Sequence, residues 1–447
     1  MSTSQKIDRS RPPQPGPSSA TPFPTFTRYA LSNDIPVYVV ENHVQPYVSL
    51  QLVLRSGASS DGDLPGLADF TGNLLLSGAG KLDAQELAEE IDFLGALLEA
   101  GAGRDEITVG LGVLSAYLPR ALDLMADVAL RPHFDADEIA REQKQAIAAI
   151  RQNEADPSYL ASVRFRHEVF GNSPYGTPLD GAEESLRRIT RDDCQAFHRR
   201  HFTAENAFFV AAGDVHPEMF IPMLEECFGA WGGVRPAPPA FVAPEPIPST
   251  RIVIVDRPGS LQSAIRIGRV AIARRDPDYV PIVVANTLLG GYFNSRINNN
   301  LRERHGFTYG ARSSVEVLAN PGLFSVVASV GAAVTDRALE EVMNELRSIA
   351  REPVSEEEIE MARNYIIGSQ ALQTETPGQI ASFVRAIALY DLDDDYYRRF
   401  PDLVRSVTPE DVLRVCSLCM DPSAMIAVVV GDRATIAPGL ARLAPLA

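Results

Sequence analysis

The sequence predicts an α+β chain made of two duplicated domains of about 200 residues each, and three observations carry that prediction. A proline-rich stretch divides the 447 residues almost in half. The two halves align with each other at a nearly constant offset. Within each half, strand-like apolar runs mix with helical segments without the strict alternation that a parallel doubly wound sheet would show. A chain of this length also exceeds what one hydrophobic core ordinarily organises.

Taken in order, residues 1–22 are rich in Pro, Ser and Gly and nearly free of large apolar side chains, so they cannot repay the entropy of ordering and read as a flexible tail. The first domain then spans 23–231. In it VSLQLVLRSG, from Val48, and FFVAAGD, from Phe208, are strand-like runs bounded by Gly and Asp turns. Between them AYLPRALDLMADVAL and the long run from Asp135 to Asn153 repeat their apolar residues at helical spacing. Residues 232–249 (GGVRPAPPAFVAPEPIPS) read as a semi-rigid proline-rich linker, and 250–447 as the second domain.

The duplication is visible residue by residue. ITRDDCQAFHRRHFTAENAFFVAAGD, ending at Asp214, lies opposite VTPEDVLRVCSLCMDPSAMIAVVVGD, ending at Asp432. Thr190 falls on Thr408, Asp193 on Asp411 and Gly213 on Gly431 without a gap. Upstream, Pro157 falls on Pro377 and Ser162 on Ser382 at almost the same offset.

Composition excludes several function classes. Hydrophobic residues are 45% and charged residues 22%, the balance of a globular protein. A net charge of −17 repels polyphosphate and anionic lipid, so nucleic acid and membrane surfaces are not expected partners. No apolar run is long enough to span a bilayer and no signal-type stretch opens the sequence, so the cytoplasm is the expected compartment, with the periplasm as the alternative if the N-terminus is not native. The four cysteines, Cys194, Cys227, Cys416 and Cys419, are too few and scattered for a disulfide framework, and the C-x-x-C at Cys416 reads as packing.

The segment LRSGASSDGDLPGLADFTGNLLLSGAG, followed by FDADEIAREQKQAIAAIRQNEADP, resembles the zinc-site region of the pitrilysin, insulinase and mitochondrial-processing-peptidase family. In active members of that family, H-x-x-E-H on a helix sets two histidine ligands on one face, with the glutamate as general base at the metal-bound water. The resemblance runs from Pro22 onward, and it implies that the chemistry has been removed here. After the lead-in Gly66-Leu67-Ala68, the first histidine position is Asp69, the base position is Gly72 and the second histidine position is Asn73. Counting about 76 residues on, the family's glutamate ligand position is Ala149, while Glu142 still matches a family acidic position. An amide is a poor zinc ligand, alanine is none, and glycine cannot move a proton. None of His43, His133, His167, His198, His201, His216 and His305 begins a replacement motif; His198 and His201 read as helix-end packing.

A second signature is kept. GGYFNSRINNNLRERHGFTYG, from Gly290, resembles the family's Gly-Gly turn, Ser-Arg element and Arg/Tyr pair, here Arg302 and Tyr309. The resemblance implies that this pair binds the substrate backbone and the developing oxyanion, work suited to a charged fork and a neutral hydroxyl. Taken alone, Arg302 on an amphipathic helical pattern reads as a solvated or salt-bridged residue and Tyr309 as a plain strand aromatic; the pair in register reads as functional. Ser77–Lys81 lacks the first glycine and the hydroxyl of a phosphate loop, and the acidic run from Asp391 lacks calcium-loop spacing.

Together these features lead to one expectation: a non-catalytic subunit of a heteromeric zinc metalloendopeptidase, holding no cofactor itself and lending Arg302, Tyr309 and half of a peptide-holding cavity to a partner with intact H-x-x-E-H, in which the zinc resides. The alternative is a peptide-binding or scaffold protein with no associated proteolysis.

Overall fold

A computed structural model describes residues 22–447; the segment read as a tail lies, apart from Pro22, outside the described residues. Six strands, β1 (Thr27–Ala30), β2 (Pro36–Glu41), β3 (Tyr47–Leu54), β4 (Leu97–Ala102), β5 (Ile107–Leu114) and β6 (Ala207–Gly213), form a sheet in the order β1-β2-β6-β3-β5-β4. Five more, β7 (Arg251–Asp256), β8 (Gln262–Val270), β9 (Ala311–Glu316), β10 (Leu323–Gly331) and β11 (Ile426–Gly431), form a second in the order β7-β11-β8-β10-β9. Without β1 the two orders are the same, strand for strand. Each has one parallel pair, β2 with β6 and β7 with β11, in an otherwise antiparallel ladder. The chain is therefore two duplicated α+β domains.

The matched residues of the two halves do the same structural work. Thr190 and Thr408 are helix N-caps for Arg191–His201 and Pro409–Cys419, each closing a reciprocal capping box with Asp193 or Asp411. Pro157 and Pro377 sit in the first turn of equivalent helices, where a missing N–H costs nothing. The hydroxyls of Ser162 and Ser382 both donate to the carbonyl four residues back, those of Ser158 and Gly378.

Those equivalent helices are exchanged. The helix Pro157–Phe170, from the first half, packs on β8 and β11 of the second sheet, and Pro377–Leu389, from the second half, packs on β3 and β6 of the first. Phe165, fully buried, joins Ala161 and Val169 against Val428, Val430 and Ala264. Ile380, Ala381 and Val384 join Val53, Phe208 and Val210 in the opposite sense. The other face of the first sheet carries Val39, Leu52 and Phe209 into its own half's core. Central strands are thus covered on both faces, which is why β6 and β11 read as unbroken apolar runs, buried at every residue.

Polar contacts clasp the exchanged pieces. Tyr175 donates to Asp105 Oδ1 at 2.6 Å, Asp105 Oδ2 accepts from the Ala319 N–H at 2.8 Å, and Arg166 pairs with Glu316 of β9. The proline-rich stretch 232–249 holds no helix or strand, and Phe241 from it packs against Tyr175 at 5.3 Å between ring centroids. The stretch divides the chain, but the packing crosses it in both directions. Among the described residues no helix is long and apolar enough to cross a membrane.

Candidate functional site

The helix Leu67–Leu74 begins at Gly66, whose φ of +91° suits only glycine, and a Cβ there would also meet Gly181 Cα at 2.8 Å. Asp61 accepts the N–H groups of Gly66 at 2.7 Å and Ala68 at 2.8 Å, capping the helix from a buried position. Burial pushes the Asp61 carboxyl up to about 7, against the pull of those two bonds. This fixes the start of the helix against the Asp180–Gly181 turn and against the helix Ala136–Asn153 beside it.

Asp69 and Asn73 on the first helix, Glu142 and Ala149 on the second, and Asp180 line one recess of about 240 Å³. The spacing argument thus brings Asp69, Asn73 and Ala149 together across two helices. Gly72 is not on its wall: the Cβ position there faces Gly101 of β4 at 3.5 Å. Burial, then the charges of Asp180 and Glu142, push the Asp69 carboxyl up to about 6. Burial likewise raises Glu142. Asp180 and Asp61 were missed by the sequence reading; both sit in Asp-Gly turns that carry no motif, and what singles them out is burial for Asp61 and a place on the recess wall for Asp180.

The donor set of the recess does not fit zinc. Its imidazole positions hold a carboxylate and an amide, its third ligand position holds a methyl group, and no side chain stands where a general base would. The Asn73 amide donates to Asp69 Oδ2 at 3.4 Å, a donor group standing where the second imidazole ligand would be. The family's own step, in which a base at position 72 deprotonates a zinc-bound water, has no base here.

The kept signature lies elsewhere. The chain from Thr287 to Gly291 and from Asn299 to Arg304 forms two wide π-helical turns, separated by the short helix Arg296–Asn298. Arg302 is on the second of these, not on a regular amphipathic helix as the sequence suggested. Such turns open the helical ladder and recur at functional sites. The first lies so close to β9 that only glycine fits at Gly290, where a Cβ would come within 2.4 Å of the Ser313 backbone nitrogen. Arg296 is clamped by both oxygens of Glu358 at 2.9 Å, which pins the segment.

Tyr309 lies in the loop before β9 rather than on the strand, and it is 97% exposed. It lines a groove of about 700 Å³ with Phe293, Tyr292, Arg266, Arg312 and Tyr365. Arg302 stands one layer back, its guanidinium 4.6 Å from the Phe293 ring centroid and its Nε 3.3 Å from Glu303. Phe293 is the link between the two. The groove offers guanidinium and hydroxyl donors beside aromatic faces, a surface able to hold a peptide backbone and its carbonyls.

His198 and His201 are packing residues: their ring nitrogens meet the Ala129 carbonyl and the Ser56 hydroxyl, both at 2.9 Å, and burial lowers both, His201 to about 4. Cys416 and Cys419 are free, buried thiols pushed up by burial, Cys419 to about 11.

Comparison with known proteins places this arrangement. The family model described as Insulinase (Peptidase family M16) matches residues 37–183, and that described as Peptidase M16 inactive domain matches residues 188–366. An uncharacterised zinc protease of Mycobacterium tuberculosis is 28% identical over 312 residues, 69% of this chain and 71% of its own. The non-peptidase homolog YmxG of Helicobacter pylori is 24% identical over 351 residues, 76% of this chain and 79% of its own. A crystal structure of a peptidase M16 inactive domain from Pseudomonas fluorescens aligns with a TM-score of 0.86 and 27% identity, covering 91% of this chain and 98% of that one. With the strand order and the duplication already in place, these matches show that the chain belongs to the insulinase family of peptidases, M16.

Proposed function

We propose that this chain is the non-catalytic subunit of a heteromeric M16 zinc metalloendopeptidase. It supplies Arg302, Tyr309 and half of the peptide-holding cavity to a homologous subunit with an intact H-x-x-E-H, and the zinc belongs to that subunit. The observation that carries the reading is an asymmetry within one chain. The recess of Asp69, Asn73 and Ala149 has lost its ligands and its base, while the groove in the second half keeps an exposed tyrosine and an arginine-rich wall. The four free thiols agree with a cytoplasmic address, which this reading assigns, with the periplasm as the alternative.

The experiment is complementation. The chain is mixed with a homologous M16 subunit bearing H-x-x-E-H, and cleavage of an unfolded peptide is followed with and without chelator. Cleavage by the mixture well above that of either subunit alone, abolished by chelator, is the expected result. A mixture that co-elutes but cleaves no faster favours the second reading, a peptide-binding or scaffold protein, for which the similarity to a relative named a non-peptidase homolog speaks.

A further inference from the structure

β2 and β6 run parallel as neighbours, with Glu41 in register with Gly213, so the chain leaves both strands at the same end of the first sheet. Glu41 is the last residue of β2, His43 follows two residues on, and His216 caps the helix Pro217–Phe228 three residues after β6. Among the described residues, these three are the only His, Cys or carboxylate set whose ligand atoms all lie within 4.8 Å of one another. His43 Nε2 is 3.7 Å from Glu41 Oε2, and the two imidazoles stack at 4.5 Å between centroids.

A second feature sets this group apart from a chance meeting of exposed side chains. Asp214 Oδ1 lies 2.8 Å from His43 Nδ1, and its other oxygen accepts from the Ser115 hydroxyl at 2.6 Å. A carboxylate so anchored holds the proton on Nδ1 and turns the lone pair of Nε2 toward Glu41, the carboxylate–histidine arrangement that supports metal ligands. Zinc bonds of about 2.0–2.1 Å place tetrahedral ligand atoms roughly 3.3 Å apart. The three side chains are exposed, so rotation about their own bonds can close the difference without moving either strand.

We propose that Glu41, His43 and His216 form a binding site for a divalent first-row transition ion, zinc foremost, with Asp214 orienting His43 and a fourth position left to water. Two imidazoles and one carboxylate suit zinc and its neighbours rather than magnesium or calcium, which take oxygen sets. The site is separate from the recess at Asp69 and does not depend on the proposed subunit role. Bound metal ties the turn after β2 to the start of the helix after β6.

The test is isothermal titration of the full chain with zinc chloride in a non-chelating buffer, paired with thermal melts. One equivalent of zinc is expected to bind and to raise the melting temperature. Both effects should vanish in the His43→Ala/His216→Ala double variant, and Asp214→Asn should weaken binding about ten- to a hundredfold. Far-UV circular dichroism confirms that the variants fold. No binding by the parent chain, or binding that the double variant retains, overturns the proposal.

Discussion

Phe165→Ala tests the exchange of helices between the two halves. Phe165 sits on a first-half helix, fully buried against β8 and β11 of the second sheet. Its ring also lies beneath the Arg266 guanidinium at 6.0 Å. Truncating a buried phenylalanine costs about 3–5 kcal/mol in lost transfer and cavity energy. A cooperative unit this large has a urea dependence at or above ~3 kcal/mol per molar, so the midpoint should fall by about 1 M. Trp231 is the one tryptophan of the chain and lies in the first half, donating its indole N–H to the Phe202 carbonyl at 3.2 Å. Its fluorescence therefore reports the first half, while far-UV circular dichroism reports both. Because each half holds a helix of the other, both probes should move together by the same amount. A Trp231 transition that keeps its parent midpoint while the dichroism splits into two steps would refute the coupling.

Further expectations follow from the caps and the recess. Thr190→Ala and Thr408→Ala remove equivalent N-caps, and each should cost about 1 kcal/mol, read from urea unfolding; a cost confined to one of them would contradict their equivalence. The Asp69 carboxyl is raised in the fold to about 6 from 3.8, so the folded state holds its proton more tightly. The stability it contributes is full below about pH 4 and is lost as pH rises through 6. The whole shift would amount to ~3 kcal/mol, and partial solvent exposure brings the expected effect nearer ~1 kcal/mol. Asp69→Asn should therefore gain on the parent chain between pH 4 and pH 7 in thermal melts, and equal losses in the two would contradict the burial and repulsion assigned to this recess.

Much of the fold was written in local chemistry. The Thr190/Asp193 and Thr408/Asp411 boxes and the Pro157 and Pro377 starts are short-range devices, so they survive as readable sequence matches. The unbroken apolar β6 and β11 likewise announce strands covered on both faces. The family resemblance, carried over position by position, pointed to Asp69, Asn73 and Ala149, which share one recess. What sequence could not carry was the choice of partner. Nothing local in Pro157–Phe170 says that Ala161, Phe165 and Val169 will meet the other half's sheet. The π-helical turn that contains Gly290 lies against Ser313, a close approach across 23 residues that no local pattern encodes. Glu41, His43 and His216 meet only because β2 and β6 are register-paired neighbours.

The most direct test of the central claim is steady-state peptide cleavage by the complex of this chain with an H-x-x-E-H subunit, comparing the parent with the Arg302→Ala/Tyr309→Phe variant. Size-exclusion chromatography establishes that the variant still pairs. Loss of a preorganised donor to a developing oxyanion lowers turnover by ~10²–10³, whereas a solvated surface side chain costs almost nothing. The loss should fall mainly on kcat, since the contact strengthens as the carbonyl becomes tetrahedral. A variant that pairs normally and activates as well as the parent chain would contradict the account, leaving Arg302 and Tyr309 as structural residues.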